Sequence, residues 1–160
     1  MKWVAATVAA CACAVLAVAA APAKDAPKDA AADKDAIQGT WKMISREVRG
    51  QAQPPGGPED SSMVFKGDRF QILRGGQVMI EGTFKMDPAV KPRTIDMHVE
   101  KANDDAHVAD KTSLGIYELN GDDLRWCADE PGHDTRPTEF SSQGERHMLV
   151  VLKREAKDAK

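Results

Sequence analysis

The stretch IQGTWKMISREV, residues 37–48, decides the fold of this chain. Trp41 and Met43 alternate with Thr40 and Lys42, and a period of two between apolar and polar residues predicts a β-strand with one buried face. A glycine stands two residues before the tryptophan, where the strand begins. The folded part of the protein therefore starts here, and it starts with a strand.

The chain before this strand divides into two segments. Residues 1–23 hold one lysine, a long apolar run and a terminal Ala-Pro-Ala, the layout of a secretory signal peptide with an A-x-A cleavage site. We expect cleavage before Lys24 and export to the periplasm or the outside of the cell. Residues 24–36 contain only Lys, Asp, Ala and Pro, so we interpret them as a solvated linker. Its last residues, 31–37, can form a short helix over the domain.

The N-terminal segment has two alternative interpretations. The apolar run is nearly long enough for a transmembrane anchor, and the residues before Cys11 resemble a short bacterial lipobox. The Ala-rich composition and the small residues at the end of the run favour cleavage over an anchor. Cys11 stands before the apolar run has ended, which argues against lipidation. We therefore expect no membrane span in the mature protein.

The charge balance argues against nucleic-acid binding, and the cysteine content argues against a disulfide-stabilised fold. The chain has 22 Lys+Arg against 25 Asp+Glu, and this mild acidity gives no electrostatic footprint for nucleic acid. Cys11 and Cys13 leave with the signal peptide, so Cys127 remains alone and no disulfide framework is possible. Stability must come from a packed core, and a chain of this length can bury one core. We assign that core to residues 37–155, followed by a polar tail, 156–160.

Short runs of alternating residues, each closed by turn residues, follow one another to the end of the domain. They predict eight strands: Thr40–Val48, Met63–Lys66, Arg69–Arg74, Gln77–Met86, Thr94–Glu100, Ser113–Leu119, Leu124–Ala128 and His147–Arg154. Gly67-Asp68, Gly75-Gly76 and Asn120-Gly121 predict tight hairpin turns, so sequential strands are antiparallel neighbours. No helical period long enough for a parallel crossover is present.

A meander of eight strands must protect its two edges, and closure into an up-and-down barrel removes both. Alternation supports one filled face, since Ile95, Met97 and Val99 share a face of their strand while Asp96 and His98 share the other. The sequence thus predicts an all-β protein with an eight-stranded antiparallel up-and-down barrel. An open sandwich is the alternative.

Two resemblances agree with the barrel. Gly39-Thr40-Trp41 resembles the G-x-W motif that opens the first strand of lipocalins, which are eight-stranded barrels. The rest of the domain is similar to an uncharacterised lipocalin-like domain family of planctomycete bacteria. The similar segments are GTFKMDPAVKPRTIDM at 82–97, LGIYELNGDDLRWC at 114–127, RPTEFSS at 136–142 and LVVLKRE at 149–155. The resemblance implies a secreted lipocalin-like barrel and brings no activity or catalytic residues.

The lipocalin resemblance also implies a structure for the closed end of the barrel. In lipocalins the G-x-W tryptophan lies across this end and is covered by a basic side chain from the end of the last strand. Alternation along the last strand places Arg154, and not Lys153, on the inward face. We therefore expect Arg154 to stack on Trp41, and Gly39 to let the incoming chain pass close beneath the ring.

Candidate metal ligands are scattered. His98, His107, His133 and His147 lack the short spacings of metal sites. Asp104, Asp105 and Asp110 lie in a loop without the ligand spacing or glycine of a calcium site, so we interpret it as a solvated acidic loop. The sequence predicts neither a metal nor another cofactor.

The densest polar cluster is EPGHDTRPTEF, residues 130–140, with His133, Asp134, Arg136 and Glu139. It could form an acid and base pair with an anion-binding arginine, but no nucleophile or glycine-rich cradle accompanies it. We favour a structural role in which Arg136 and Glu139 pair to fix a loop across the barrel mouth. Cys127 has no histidine near it in sequence and is better explained as a small buried hydrophobe. We therefore expect no enzymatic activity.

The barrel interior is the remaining candidate site, since eight-stranded barrels are either filled or hold one small ligand. The predicted inward set is Met43, Phe70, Ile72, Phe84, Ile95, Met97, Ile116, Trp126, Met148 and Val150. One hypothesis is a monomeric secreted binder of a small apolar or amphiphilic ligand. The alternative is a non-enzymatic interaction module with a filled core, acting through its outer face or through loops 50–62 and 100–111.

Overall fold

A computed structural model describes residues 32–53, 60–103 and 105–156 as one sheet that follows a short helix. Its strands are β1 (Gly39–Val48), β2 (Gln51–Ala52), β3 (Ser61–Lys66), β4 (Arg69–Arg74), β5 (Gln77–Asp87), β6 (Thr94–Ala102), β7 (Thr112–Asn120), β8 (Asp123–Ala128) and β9 (Met148–Arg154). The eight predicted strands correspond to all of these except β2. The two residues of β2 are too few to give a periodic signal.

The strands form a closed barrel. Their order is β2-β1-β3-β4-β5-β6-β7-β8-β9, and β1 also pairs with β9, so eight strands close into an antiparallel up-and-down barrel while β2 adds to the end of β1. The barrel prediction is confirmed, and the open sandwich was wrong. Two of the predicted hairpin turns, Gly67-Asp68 and Gly75-Gly76, are in place. The third is shifted by one residue to Gly121-Asp122, because Asn120 still pairs with Asp123.

Residues 32–36 form one turn of helix across the end of the barrel at which β1 starts. The carboxylate of Asp33 accepts hydrogen bonds from the Tyr117 hydroxyl at 2.5 Å and from Arg93 at 3.0 Å, and Ile37 is completely buried. The short helix that the sequence allowed is therefore present. It belongs to the folded domain, so the ordered structure begins before residue 37.

Several sequence predictions fall outside the described residues: the signal peptide, the cleavage site at Lys24, the first part of the linker up to 31, Asp104, and the tail from 157. The middle of the 50–62 loop, residues 54–59, is also outside them. No helix among the described residues has the length and apolar composition needed to cross a membrane.

The barrel interior forms a single apolar cluster. Its buried members are Ile37, Trp41, Met43, Met63, Phe65, Phe70, Phe84, Ile95, Met97, Val99, Tyr117, Leu124, Trp126, Ala128, Val150 and Leu152. The edge of one ring in the Phe65–Phe84 pair meets the face of the other, with centroids 5.1 Å apart, which fills the half of the barrel near Trp41. Two aromatic rings therefore occupy the interior at the closed end.

Ile116 is a correction to the predicted inward set. It is buried, but it pairs with Thr94 and Cys127, whereas its neighbours Gly115 and Tyr117 carry the inward face of β7. Ile116 therefore points outward, beneath the segment that joins β8 to β9. Because both faces of this strand are covered, apolar residues occur on both, and alternation alone chose the wrong face.

Candidate functional site

A cavity of about 710 Å³ occupies the half of the barrel opposite Trp41. Its apolar wall comes from Met43, Val48, Phe70, Ile72, Leu73, Met79, Ile80, Met97, Val99, Val108, Trp126, Pro131, Met148 and Val150. Its polar lining comes from Arg46, Arg49, Gln53, Ser61, Arg74, Asp105, Ser113, Asp129, Glu130 and Arg146. Arg49, Arg74, Asp105 and Glu130 are exposed, so the cavity reaches the solvent at this end, the barrel mouth.

Most of the predicted interior set lines this cavity. The lining members are Met43, Phe70, Ile72, Met97, Trp126, Met148 and Val150. Phe84 and Ile95 belong to the interior cluster but pack nearer the closed end, and Ile116 lies outside the barrel wall. The prediction thus identified seven of the fourteen apolar residues of the described cavity wall. It missed the polar residues at the mouth.

The opposite end is closed by Trp41 and Arg154. The Arg154 guanidinium carbon lies 4.1 Å from the centre of the Trp41 ring, and the indole Nε1 donates a hydrogen bond of 2.7 Å to the carbonyl of Ile37. Arg154 also donates to the carbonyls of Ala36 and Gln38 at 2.5 and 2.8 Å. The predicted stacking is confirmed, and it also fastens the short helix to the barrel floor.

Gly39 has a different neighbour from the one predicted. Its φ is +118°, which favours glycine, and a Cβ at this position would lie 3.4 Å from the Arg154 guanidinium. The nearest group is therefore the stacked cation rather than the Trp41 ring. Lys153 points outward, 3.9 Å from Asp123, as the alternation predicted.

A β-bulge in β1 directs Arg46 into the cavity. Met43 pairs with Leu152 and the next paired residue is Ser45, opposite Val151, so the register shifts at Ile44. Ile44 is 52% exposed on the outside. Beyond the bulge, Arg46 is opposite the buried Val150 and therefore faces inward, where simple alternation from Trp41 would have placed Ser45.

Arg46 is half-buried and has little polar compensation. Its Nε donates to the sulfur of Met148 at 3.2 Å, a weak acceptor. Burial, followed by repulsion from Arg74, lowers the pKa of Arg46 from its ordinary value. Among the described residues no carboxylate forms an ion pair with its guanidinium. Arg46 is thus a cation that the cavity only partly solvates.

Asp129 and Arg146 form a polar cluster beside the barrel mouth, and both carboxylate oxygens of Asp129 accept hydrogen bonds in it. Asp129 is 1% exposed, and burial alone would raise the pKa of its carboxyl. Hydrogen bonds from the Thr135 hydroxyl, from the backbone N–H of Glu130 at 2.8 Å and from Arg146 at 3.2 Å outweigh burial and hold that pKa below its usual value. Arg146 is therefore neutralised locally, in contrast to Arg46.

Trp126 presents its ring rather than its N–H to the cavity. The indole Nε1 is buried over Gly115, where an added Cβ would lie only 2.7 Å away, and it has no hydrogen-bond partner among the described residues. Gly115 therefore makes room for the ring. For a molecule in the cavity, Trp126 is an apolar wall residue.

The segment from Glu130 to Phe140 lines the mouth with Glu130 and Pro131 and then follows the outer wall of the barrel, where Arg136 lies. Arg136 donates to the carbonyl of Gly115 at 2.6 Å, and its Nη2 is also 2.6 Å from an Asp96 carboxylate oxygen, an ion-pair distance without hydrogen-bond geometry. The predicted pairing of Arg136 with Glu139 was wrong, because the barrel wall supplies these partners instead. His133, Asp134 and Glu139 are exposed.

Cys127 lies on the outer face of β8, beneath this covering segment. Its side chain is completely buried, and its Sγ donates to the carbonyl of Ser141 at 3.4 Å. Burial raises the pKa of the thiol, which keeps it protonated at neutral pH. The predicted burial is confirmed, and the sulfur does not line the cavity.

The histidines are not brought together. His98 on β6 lies 3.2 Å from the hydroxyl of Thr112, at the start of β7, and 3.7 Å from a carboxylate oxygen of Asp110, in the loop that follows β6. Within the described ranges there is no group of three or more His, Cys, Asp or Glu side chains able to hold a metal ion.

A scan against protein-family models and a search of curated proteins found no match to this chain. The lipocalin-like family resemblance stays a prediction from the sequence.

Proposed function

We propose that this protein is a secreted lipocalin-like carrier that holds one small apolar or amphiphilic molecule in its barrel. The observation that carries the proposal is the cavity of about 710 Å³ inside an eight-stranded barrel. Barrels of this strand number are either filled or hold one small ligand. Small-molecule sites typically measure about 300–1,000 Å³ and have mostly apolar walls.

The composition of the wall supports an adaptable apolar site. Met43, Met79, Met97 and Met148 all line the cavity. Methionine side chains are unbranched and polarizable, so they can fit ligands of different shapes. We therefore expect tolerance for a range of apolar chains or rings rather than recognition of one rigid molecule.

The alternative is an interaction module with a filled core. The half of the barrel around Phe65 and Phe84 is filled, but the half at the mouth is not. Ile44 and Val90 are the exposed large hydrophobic residues of the described chain, and they form no broad apolar patch that would mark a protein interface. These observations favour the carrier.

A catalytic role has weaker support than binding. Asp129, the buried carboxylate at the mouth, is engaged by Thr135, Glu130 and Arg146, and Cys127 faces away from the cavity with a raised pKa. We propose export on the basis of the N-terminal segment, 1–23. We also propose a monomer, since closure of β1 on β9 pairs the barrel edges.

A neutral fluorescent probe, N-phenyl-1-naphthylamine, tests the carrier directly. The mature protein should bind it with one saturable site, and Ile72→Trp, which places a bulkier side chain in the cavity wall, should abolish the fluorescence increase. Ile44→Trp is the matched control because Ile44 is 52% exposed on the outer face, and it should bind as the unmodified protein does. No saturable binding, or equal binding by both variants, would overturn the proposed function.

The natural occupant can be sought separately. Native mass spectrometry of the protein purified from its own host should show a mass increment of a small lipid-like molecule. The increment should be missing from Ile72→Trp and present in Ile44→Trp.

A further inference from the structure

We propose that the molecule held in the cavity is an amphiphile whose apolar chain ends in a carboxylate, and that the Arg46 guanidinium binds this carboxylate. The inference rests on the proposed carrier function and adds a class of ligand and its orientation.

A β-bulge in β1 places Arg46 inside the barrel. The bulge at Ile44 places Arg46 opposite Val150, whose side chain is completely buried, while Glu47 on the outside accepts a hydrogen bond of 2.8 Å from Ser142. The barrel thus directs the cation inward and the neighbouring carboxylate outward. Bulges of this kind commonly redirect one side chain beside a functional site.

Among the described residues, no carboxylate supplies a countercharge to the Arg46 guanidinium. A guanidinium taken out of water is costly unless an anion accompanies it. Within the described part of the chain, the hydrogen bond from Arg46 to the Met148 sulfur is its single side-chain contact of this kind, and no carboxylate pairs with it. Its strongest charged neighbour is another cation, Arg74, which lowers the pKa further. A bound anion would offset both the burial of the Arg46 guanidinium and its repulsion from Arg74.

The described carboxylates at the mouth have partners other than Arg46. Asp129 is bound by Arg146, Glu130 lies 3.9 Å from Arg49, and Asp105 accepts from the backbone N–H of His107 at 3.0 Å. Asp129 and Glu130 thus pair with Arg146 and Arg49, and neither forms an ion pair with Arg46.

The position of Arg46 along the barrel determines the orientation of the ligand. Arg46 stands nearer the mouth than Met43 on the same strand, and the wall on the closed-end side of it includes Phe70 and Met97. A carboxylate at Arg46 would therefore direct its chain inward, toward the aromatic residues, and leave no charge in the apolar part. The planar guanidinium fork matches the two oxygens of a carboxylate.

The test compares dodecanoate with dodecanol, two probes of equal chain length that differ in head group. Calorimetric titration of the mature protein should give tighter binding of dodecanoate. Arg46→Met should weaken dodecanoate roughly 10- to 100-fold, the range expected for one charge-assisted hydrogen-bonded pair, while dodecanol changes by less than about 3-fold. Arg46→Lys, which keeps the charge and loses the fork, should recover part of the preference.

Arg69→Met is the matched control. Arg69 is paired with Glu100 at 2.6 Å on the outer surface of β4, so the same change of charge there should leave both affinities unaltered. The melting temperature of ligand-free Arg46→Met should equal or exceed that of the unmodified protein, because a half-buried cation without a carboxylate partner has been removed. A marked fall would mean that Arg46 serves stability and would overturn the inference.

The remaining outcomes separate the two proposals. If dodecanol binds as tightly as dodecanoate and Arg46→Met changes neither, the carboxylate inference is overturned and the carrier function stands. If dodecanoate, dodecanol and the neutral naphthylamine all fail to bind, the carrier function is overturned together with the inference.

Discussion

Trp41 and Arg154 are paired in register across β1 and β9, the two strands that close the barrel, and the guanidinium carbon of Arg154 lies 4.1 Å from the centre of the indole. One contact therefore joins three parts of the chain: the first strand, the last strand and the helical turn at 32–36, whose Ala36 carbonyl accepts from Arg154. The tryptophan of the G-x-W entry and the arginine at the end of β9 thus act together at the closed end of the barrel.

Trp41→Ala should lower the free energy of unfolding by about 3–5 kcal/mol, because a completely buried ring is removed from the core. Arg154→Ala should cost less, since its guanidinium is partly solvated. Urea unfolding of the single and double variants gives the coupling between the residues, which we expect to be about 0.5–2 kcal/mol.

Arg125→Ala with Phe140→Ala is the control cycle. That pair is also stacked, at 4.7 Å, but it lies on the outer face, where Arg125 is 43% exposed, so its coupling should be smaller. Strict additivity of the Trp41 and Arg154 substitutions would show that the stacking adds no stability.

Gly82→Ala should prevent folding or destabilise the protein by roughly 4 kcal/mol or more. A Cβ at Gly82 would lie 1.9 Å from the backbone carbonyl oxygen of His98, at the register shift between β5 and β6, and a backbone atom cannot move aside as a side chain can. Circular dichroism melting measures the effect. Gly75→Asn is the control, since none of the described atoms lies within 4 Å of an added Cβ and asparagine tolerates its φ of +56°. A Gly82→Ala protein that melts normally would contradict the geometry of this bulge.

Cys127 should react slowly with a thiol reagent in the native protein and rapidly in denaturant. The side chain is completely buried under the 130–140 segment, and burial raises the pKa of the thiol, so both access and the thiolate fraction are low. Reaction with Ellman's reagent provides the measurement on the mature chain. Ile44→Cys in a Cys127→Ala background should react at once, because position 44 is exposed. Native reaction of Cys127 at that same rate would exclude its burial.

The fold was predictable because local signals agreed with one another. Alternation, the glycine turns and the lack of a helical period all indicated an antiparallel barrel, and closure follows from the need to protect the edges. The stacking on Trp41 was predicted from the lipocalin resemblance, and Arg154 could be chosen over Lys153 because alternation along β9 is uninterrupted up to Arg154. Seven of the ten residues predicted for the interior line the cavity for the same reason.

The polar half of the site was not predictable from alternation. Arg46 faces inward only because one extra residue, Ile44, shifts the register, and a period-two count cannot locate a bulge. The inward orientation predicted for Ile116 was wrong for a different reason. The segment after β8 buries the outer face of its strand as well. Asp129 and Arg146 are 17 residues apart and meet through the tertiary fold, which no local pattern encodes.

The stability of the mouth should depend on acid pH through Asp129. Its pKa in the folded protein lies below its ordinary value of 3.8, because the bonds from Thr135, Glu130 and Arg146 outweigh the opposing effect of burial. A group whose pKa is lower in the folded state stabilises the protein above its unfolded pKa, and this contribution is lost as the pH falls through the folded pKa. We therefore expect the Asp129 contribution to be complete at neutral pH and to fade below about pH 4.

Asp129→Asn isolates this effect. At pH 7 it should lower the free energy of unfolding by roughly 1–3 kcal/mol, since Asn keeps the shape but loses the charge that Arg146 neutralises. Urea unfolding from pH 7 down to pH 3 should show the gap between the variant and the unmodified protein narrowing as Asp129 becomes protonated. Asp123→Asn is the control, because its carboxylate is 68% exposed and 3.9 Å from Lys153, so its gap should be small at every pH. A gap for Asp129→Asn that stays constant, or widens, on acidification would show that the carboxylate is not stabilised in its ionised form.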